Sequence, residues 1–135
     1  DYGVGRAAYY APDRDGGWLR CHFRHHAHDD ALAFPGIQDI TAWVDFSLVA
    51  DAAVDAGAEI GGFVTQAHFL MAGGLDEELE LMQDAPLEQQ LVLASAIKTL
   101  TLPGEMGEHV KCLGLVKGNI RPPAALTLMD ITHTL

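Results

Sequence analysis

Histidines cluster in one short polar stretch near the start of the chain, and imidazole is a side chain used for metal binding and proton transfer. Four of the seven histidines lie within residues 22–28, and two aspartates follow them directly. In an extended segment His22, His26 and His28 would share one face, whereas a helix would group His22 with His25 and His26. Neither arrangement matches HExxH or another zinc spacing. We therefore expect a solvated polar loop with at most one functional histidine, and no metal site.

A second set of polar side chains follows at Asp39, Thr41 and Asp45. Residues 37–44 alternate in polarity, which predicts an extended segment with Asp39 and Thr41 on one side. Asp45 directly precedes apolar residues at helical spacing, so it is expected to be the N-cap of a helix. The set is either a local cap and turn or part of a cleft wall, and the spacing alone leaves both interpretations open.

The other reactive residues give little support for further chemistry. The glycine-rich residues 102–108 lack the GxGxxG and P-loop patterns and precede a predicted strand, which argues against a phosphate-binding loop. Cys21 and Cys112 lie far apart without a CxxC motif, so we expect two buried, reduced thiols. Such thiols fit a reducing, cytoplasm-like compartment. No GxSxG motif for a serine nucleophile is present.

The charge balance narrows the class of partner. Eight Lys and Arg residues stand against nineteen Asp and Glu, which gives a formal net charge of -11 over 135 residues. Nucleic acids and anionic membranes attract cations, so neither is expected as the main partner. No apolar run reaches the roughly 18 residues that cross a bilayer. The length suffices for one domain with a core, and the start at Asp1 without a methionine leads us to expect a piece of a longer protein.

Strands and helices alternate along the remainder of the chain, which favours an α/β fold. The predicted elements are a helix from 45 to 57, a strand over 58–64, helices over 65–72 and 75–82, a helix beginning at Pro86, and a strand over 110–116. Gly61 and Gly62 indicate a bulge in the first of these strands. The second is apolar on both faces, which is typical of a covered sheet. A complete sheet of this class has about five strands. The strands predicted here are fewer, so we expect that they lack some of their pairing partners.

The helix that begins at Pro86 carries apolar residues at helical spacing. These residues are Leu87, Leu91, Ala94 and Ile97. Their spacing predicts that they form the apolar stripe of this helix.

Several blocks of sequence occur in the order that a known family shows. They are residues 1–3, 18–25, 35–46, 65–70, 102–107 and 110–118. They resemble the C-terminal half of the MidA-like class I S-adenosylmethionine-dependent methyltransferases, a family that includes the mitochondrial protein-arginine methyltransferase acting in respiratory complex I assembly. Each block is weak alone, but their order over nearly the whole chain is specific. Trp18 departs from the family, which usually has threonine or another small residue there.

The resemblance implies a fold and a place within it. Residues 1–3 would end the fifth strand of a Rossmann-like sheet, the helix after Asp45 would be the crossover, and residues 58–64 and 110–116 would be the last two strands. Residues 1–135 would then form the C-terminal portion of one methyltransferase domain, incomplete as a domain, with a helical insertion at about 65–101. The first four strands would lie upstream, which explains the shortage of strands.

The resemblance also implies S-adenosylmethionine as the cofactor of the whole enzyme and a protein side chain, such as arginine, as the acceptor. The candidate cleft-wall residues are His25, Asp39, Thr41 and Asp45, and the candidate cofactor contacts are Asp1 and Tyr2. The family's glycine-rich cofactor loop and its ribose-binding acidic residue have no counterpart in this sequence. Because catalysis by such enzymes is largely alignment of the acceptor with the bound methyl donor, this chain alone is expected to bind no cofactor and to be inactive.

Two other classes of function stay open. The acidic helix that carries Leu75, Leu79 and Met82 could serve a non-enzymatic protein-interaction module, and the histidine cluster could serve a metal-dependent hydrolase. A sheet divided in the middle exposes apolar surface, so the chain is expected to self-associate. The resemblance implies a cytoplasmic location in a bacterium or a mitochondrial one in a eukaryote.

Overall fold

The computed structural model describes residues 1–24 and 26–135, and its strands and helices alternate along the chain. The strands are β1 (Gly3–Val4), β2 (Leu19–Phe23), β3 (His26–His28), β4 (Asp39–Ala42), β5 (Val44–Asp45), β6 (Glu59–Thr65) and β7 (Lys111–Val116). The helices are α1 (Arg6–Tyr9), α2 (Phe46–Asp55), α3 (Gln66–Ala72), α4 (Leu75–Leu81), α5 (Leu87–Thr101), α6 (Met106–His109) and α7 (Ala124–Thr127), followed by a 3-10 turn at Thr132–Thr134. The architecture is the predicted α/β class.

Four strands lie side by side and form what we call the central sheet. β6 and β7 pair antiparallel, with a register shift between Ile60 and Gly62 that confirms the predicted bulge. Val110, directly before β7, bridges to Tyr2 in antiparallel orientation, and β1 pairs in parallel with β5. The order is therefore β5, β1, β7, β6, and β7 runs against the other three.

The helix α2 covers this sheet and begins where the sequence predicts. The Asp45 carboxylate accepts a hydrogen bond of 3.1 Å from the amide of Leu48, which confirms the predicted N-cap. The helix ends before Gly57, whose φ of 77° is the left-handed conformation that glycine favours. The buried rings of Phe46 and Phe63 lie 5.0 Å apart. The core therefore lies between α2 and β6.

A separate three-stranded antiparallel sheet, in the order β3–β2–β4, is inserted between β1 and β5. The paired residues of its hairpin are Cys21 with His28, His22 with Ala27, and Phe23 with His26. Directly paired residues share a face, so His22 lies on the face opposite His26 and His28. The predicted polar loop is wrong for these residues, which lie in the strands β2 and β3. The single extended segment in which the three histidines would share a face is not formed either, because the chain reverses near Arg24, whose φ is 48°, and the reversal inverts the alternation of sides.

Four helices, α3 to α6, lie between β6 and β7. The Thr65 hydroxyl caps α3 by accepting a hydrogen bond of 3.3 Å from the amide of His68. The side-chain amide of Gln66 donates to the carbonyl of Leu100 at 2.9 Å. This bond ties the start of α3 to the end of α5, so the polar residues at this helix start are used for structure.

The side of α5 that faces the protein differs from the predicted stripe. The partly buried residues of α5 are Gln90, Leu93, Ile97, Leu100 and Thr101. Leu87 and Leu91 are exposed, as is Ala94, so the predicted stripe is wrong except at Ile97. Apolar residues occur on both sides of this helix, and packing against the neighbouring helices selects the inner side.

The strand β7 is covered less completely than its apolar sequence predicts. Gly114 is buried, and a side-chain carbon added to it would lie 2.4 Å from Cδ1 of Leu126. Leu115, which points to the opposite face, remains 46% exposed. The prediction of two covered faces therefore holds for one face only.

The C-terminal segment closes the outer edge of β6. The amide of Ile131 donates to the Phe63 carbonyl at 2.7 Å, and the Phe63 amide donates to the Asp130 carboxylate at 2.8 Å. Gly62 permits the C-terminal segment to approach β6 closely. It has a φ of 142°, and an added side-chain carbon would lie 2.0 Å from the Leu126 carbonyl oxygen. The edge is thereby protected from pairing with another chain.

Candidate functional site

A groove separates β1 from the three-stranded sheet. Its outer part has a volume of about 420 Å³ and is lined by Asp1, Tyr2, His22, Arg24, Asp39 and Thr41. Its inner part has a volume of about 150 Å³ and is lined by Tyr2, Arg20, His22, Ala27, Thr41, Ala42, Trp43 and His109. Because Tyr2, His22 and Thr41 line both parts, the two form one continuous site, which we call the β1–β4 groove.

Strand pairing places four of the lining side chains on one face. Arg20 pairs with Thr41, and His22 pairs with Asp39, across β2 and β4. Directly paired residues share a face, and so do alternate residues along one strand. The prediction that Asp39 and Thr41 lie on the same side is confirmed, and this side is the one that lines the groove.

Asp1 and Tyr2 reach the groove from the central sheet. The Tyr2 carbonyl accepts a hydrogen bond of 2.9 Å from the amide of Val44, and the Asp1 carbonyl accepts one of 2.8 Å from the amide of Lys111. The Asp1 carboxylate in turn accepts a hydrogen bond of 2.7 Å from the amide of Tyr2. The backbone here is therefore held by β5 on one side and by the start of β7 on the other.

Stacked aromatic rings close the inner end of the groove. The Trp43 ring lies 5.0 Å from that of Trp18, 6.2 Å from that of Tyr2 and 5.6 Å from that of His109, which meets it edge-on. The Trp18 indole donates a hydrogen bond of 2.7 Å to the carbonyl of Tyr9. Trp18 therefore holds the loop before β2 at the inner end of the groove.

The sequence reasoning missed Trp43 and His109 as lining residues. Trp43 lies between β4 and β5, and His109 ends α6. The alternation of residues 37–44 puts Trp43 on the same side as Asp39 and Thr41, so this spacing could have identified it. His109 is distant in the sequence and meets the groove only in the fold, so no local spacing indicates it. His22 belongs to the histidine cluster of the sequence, but its separation from His26 and His28 depends on the hairpin.

Four of the six predicted site residues line the groove. Asp45 does not, because it is buried and caps α2, so the interpretation as a local cap applies to it. His25 lies outside the described residues. Asp1, Tyr2, Asp39 and Thr41 do lie together in the groove.

The β1–β4 groove carries charges of both signs. Asp1 and Asp39 supply carboxylates, and Arg24 lies beside them in the outer part. Arg20, in the inner part, forms an ion pair with Asp29 that offsets its positive charge. The outer part therefore holds two carboxylates against one arginine.

Other kinds of reactive site receive no support from the described part of the chain. Within residues 1–24 and 26–135, no three histidine, cysteine or acidic side chains converge as metal ligands do. Cys21 is buried as predicted, whereas Cys112 is only partly buried, so the prediction of two buried thiols is wrong for Cys112. Its partial burial raises the pKa of the Cys112 thiol, which keeps it in the unreactive neutral form. In the same part of the chain, none of the helices combines the length and apolar character of a bilayer-spanning segment.

Comparison with known proteins links this geometry to one family. Residues 1–64 match the model of the family described as "Putative S-adenosyl-L-methionine-dependent methyltransferase". The mitochondrial protein arginine methyltransferase NDUFAF7 homolog of Drosophila melanogaster is 37% identical over 98 residues, which are 71% of this chain and 22% of that protein. The mitochondrial protein arginine methyltransferase NDUFAF7 of Danio rerio is 34% identical over 124 residues, which are 81% of this chain and 29% of that protein.

A solved structure is similar over the whole chain. It is a crystal structure from Burkholderia thailandensis, described as a likely methyl transferase bound to S-adenosyl-homocysteine, with a TM-score of 0.93 and 38% identity. The match covers 100% of this chain and 35% of that one, so the chain spans about a fifth to a third of the length of these relatives. Sequence order, fold and both kinds of comparison agree that this chain belongs to the MidA-like family of S-adenosylmethionine-dependent methyltransferases.

Proposed function

We propose that this chain forms the acceptor-facing wall of a methyltransferase that modifies a protein side chain, with arginine as the acceptor. The observation that carries the proposal is the β1–β4 groove, in which Asp1, Tyr2, Asp39 and Thr41 lie together. Relatives named as protein arginine methyltransferases support the choice of acceptor. S-adenosylmethionine is the cofactor of the whole enzyme in this proposal, and it supplies an electrophilic methyl group on its sulfonium.

The proposal includes a place for the chain within the whole domain. Residues 1–3 end the fifth strand, β6 and β7 are the last two strands, and residues 65–101 are a helical insertion. The antiparallel position of β7 between β1 and β6 supports this assignment.

The groove suits a guanidinium for physical reasons. A guanidinium is a planar cation with five N–H donors, which pairs with carboxylates and stacks on aromatic rings. Asp1 and Asp39 supply the carboxylates, Tyr2 and Trp43 supply the rings, and the Thr41 hydroxyl supplies a further acceptor. These side chains bind and orient the acceptor nitrogen, and orientation is the main contribution that a protein makes to group transfer.

The residues of this chain form one wall of such a site and do not complete a cofactor cradle. The sequence contains no GxGxxG loop. In the described part of the chain, the helix that follows the parallel strand β5 has its N-terminus closed by the Asp45 carboxylate, so it is not open to a ligand. Asp1 and Tyr2 remain candidates for contact with the edge of the cofactor. We therefore propose that the 135-residue chain alone neither binds the cofactor nor transfers a methyl group.

The proposed partners are proteins, including other copies of this chain. Among the described residues, nineteen large apolar side chains are exposed and six apolar side chains are buried, which supports self-association of the isolated chain. The net charge of -11 disfavours nucleic acid and anionic membranes. The proposed location is the cytoplasm in a bacterium or the mitochondrion in a eukaryote, which agrees with the names of the eukaryotic relatives.

Calorimetric titration of S-adenosylmethionine tests the division of the site. We expect S-adenosylmethionine to bind to a full-length polypeptide that contains this segment. We expect no heat of binding with the 135-residue chain, because this chain lacks the glycine-rich loop. Light scattering on the same sample of the short chain should give a mass above that of a monomer. Binding of the cofactor to the short chain would show that the site is misplaced, and a monomer at high concentration would contradict self-association.

Asp39→Asn in the full-length polypeptide tests the acceptor wall. Loss of one charged hydrogen-bond acceptor costs about 1.5–3 kcal/mol, so the KM for an arginine-containing protein substrate should rise by roughly 10- to 100-fold. The Kd of S-adenosylmethionine should not change. Asp55→Asn, at the exposed end of α2, is the matched control and should alter neither constant. An unchanged KM for Asp39→Asn would remove Asp39 from the acceptor site.

A further inference from the structure

The inner part of the β1–β4 groove differs from the outer part in its charges. The carboxylates of Asp1 and Asp39 both lie in the outer part. Among the described residues that line the inner part none is acidic, whereas Arg20 is positively charged. Asp29, which pairs with Arg20, lines neither part. A second cation in the inner part would meet Arg20 and find no carboxylate, so this part disfavours the guanidinium that the outer part suits.

Aromatic rings and small side chains form the walls of the inner part. Trp43 lines only this part, whereas Tyr2 lines both parts. Ala27 pairs directly with His22 across β2 and β3, so its methyl group lies on the groove side of the sheet. A methyl group fills little of the available space, and the inner part consequently stays open to an apolar side chain.

The volume of the inner part matches a single ring. It is about 150 Å³, and an engineered cavity of about this volume in another protein is large enough to bind benzene. Aromatic rings prefer tilted or edge-on contacts at centroid distances of about 4.5–7 Å. The rings of Tyr2 and His109 already contact Trp43 in this way, at 6.2 and 5.6 Å. A further ring in the inner part can make the same kind of contact.

The fold holds the aromatic wall in place without a ligand. The ring of Trp43 stacks on that of Trp18 at 5.0 Å, and the Trp43 amide donates a hydrogen bond of 3.2 Å to the Trp18 carbonyl. A wall that is already ordered loses less conformational freedom when a side chain binds to it, and more of the contact energy then appears as affinity.

We propose that the inner part is a specificity site that binds one aromatic side chain of the protein substrate, close to the acceptor arginine in the substrate chain. This inference rests on the proposed function and divides the groove between two side chains. The guanidinium lies in the outer part against Tyr2, and the aromatic ring lies in the inner part against Trp43. The two are near neighbours because Tyr2, His22 and Thr41 line both parts. Trp43 thereby orients the acceptor through the neighbouring side chain.

Calorimetric titration of peptides tests this specificity. Each peptide contains one arginine in a glycine–serine background, with phenylalanine, alanine or lysine at one of the two positions before or after it. The full-length polypeptide is saturated with S-adenosyl-homocysteine, so that binding is measured without methyl transfer. At one of these positions, phenylalanine should lower the Kd at least about 10-fold relative to alanine, as burial of its side chain does. Lysine at that position should raise the Kd.

Ala27→Leu fills the inner part and should remove the preference. The Kd of the phenylalanine peptide should rise to that of the alanine peptide, whereas the Kd of S-adenosyl-homocysteine should not change. Ala33→Leu is the matched control, because it adds the same atoms at a position that lines neither part of the groove, and it should keep the preference. Both alanines are exposed, so the fold should tolerate both changes, which far-ultraviolet circular dichroism checks.

Three results would overturn the inference. They are equal binding of the three peptides at every position, lysine binding as tightly as phenylalanine, and a phenylalanine preference that survives Ala27→Leu. Weaker binding of S-adenosyl-homocysteine to Ala27→Leu would also overturn it, by identifying the adenine ring of the cofactor as the occupant.

Mass spectrometry of the same peptides after incubation with S-adenosylmethionine tests the proposed function separately. Methylation of the arginine without any preference for phenylalanine would overturn the specificity site and leave the proposed function intact. A preference for phenylalanine without methylation of any peptide would contradict the proposed function and leave the inner part as a binding site for an aromatic side chain.

Discussion

Gly107→Ala should lower the free energy of unfolding by about 2–3 kcal/mol, which is the usual cost of forcing an extra carbon into a packed site. A side-chain carbon at this position would lie 2.2 Å from the Thr101 carbonyl oxygen and 2.8 Å from that of Leu102. Both are backbone atoms at the end of α5, so no side chain can rotate away. The Gly107 amide also donates to the Leu102 carbonyl at 3.1 Å, and a shift would weaken this bond.

Urea unfolding followed by tryptophan fluorescence measures this effect. Gly104→Ala is the matched control, because it lies three residues earlier with no atom within 4 Å of the added carbon, and it should change stability by less than about 1 kcal/mol. Displacement of α6 would also move His109 from the edge of the Trp43 ring, so the native fluorescence should change in Gly107→Ala alone. Equal stability of the two variants would contradict the close packing described for Gly107.

Asp130→Ala should cost about 2 kcal/mol by leaving a buried amide without a partner. The Asp130 carboxylate accepts hydrogen bonds from the Phe63 amide at 2.8 Å, from the Thr132 amide at 3.1 Å and from the Thr132 hydroxyl at 2.6 Å. Phe63 is 1% exposed, so water reaches its amide only if the C-terminal segment moves away. The C-terminal segment should then detach from the edge of β6, and hydrogen exchange at Phe63 should accelerate.

The charge of Asp130 makes this contribution dependent on pH. Burial acts to raise the pKa of the Asp130 carboxyl, but hydrogen bonds from Phe63 and Thr132 outweigh it and hold that pKa below its usual value, which is about 3.9. A carboxylate with a lowered folded-state pKa stabilises fully above its unfolded pKa, and this stabilisation is lost as the pH falls through the folded value.

Asp130→Asn isolates that charge, because it retains an oxygen acceptor without the carboxylate. The difference in unfolding free energy between the wild-type chain and Asp130→Asn should be greatest near pH 6 and should shrink below about pH 4. Urea titrations of both proteins at several pH values provide the comparison. A difference that stays constant across this range would show that the charge is not stabilised in the folded protein.

Features that depend on adjacent residues could be predicted from the sequence. The cap at Asp45 and the bulge at Gly61 and Gly62 are both present. Each is decided by hydrogen bonds or backbone freedom within a few residues. The order of the motif blocks likewise identified the family, which the comparisons confirm.

Features that depend on a change of direction or on a choice between faces could not be predicted in this way. The reversal at Arg24 separates His22 from His26 and His28, because a hairpin inverts the alternation that a straight strand would keep. The helix α5 has apolar residues on both sides, so its inner face follows from what it packs against.

The sequence by itself therefore determined the α/β class and the ends of several helices, because local chemistry controls these, and the order of its motif blocks identified the family by resemblance. Only the tertiary structure assembled the β1–β4 groove. Tyr2, Thr41, Trp43 and His109 meet there because long-range strand pairing sets the register between β1, the three-stranded sheet and the start of β7. That register is decided by the sum of contacts across the whole fold, and no single segment of the sequence contains it.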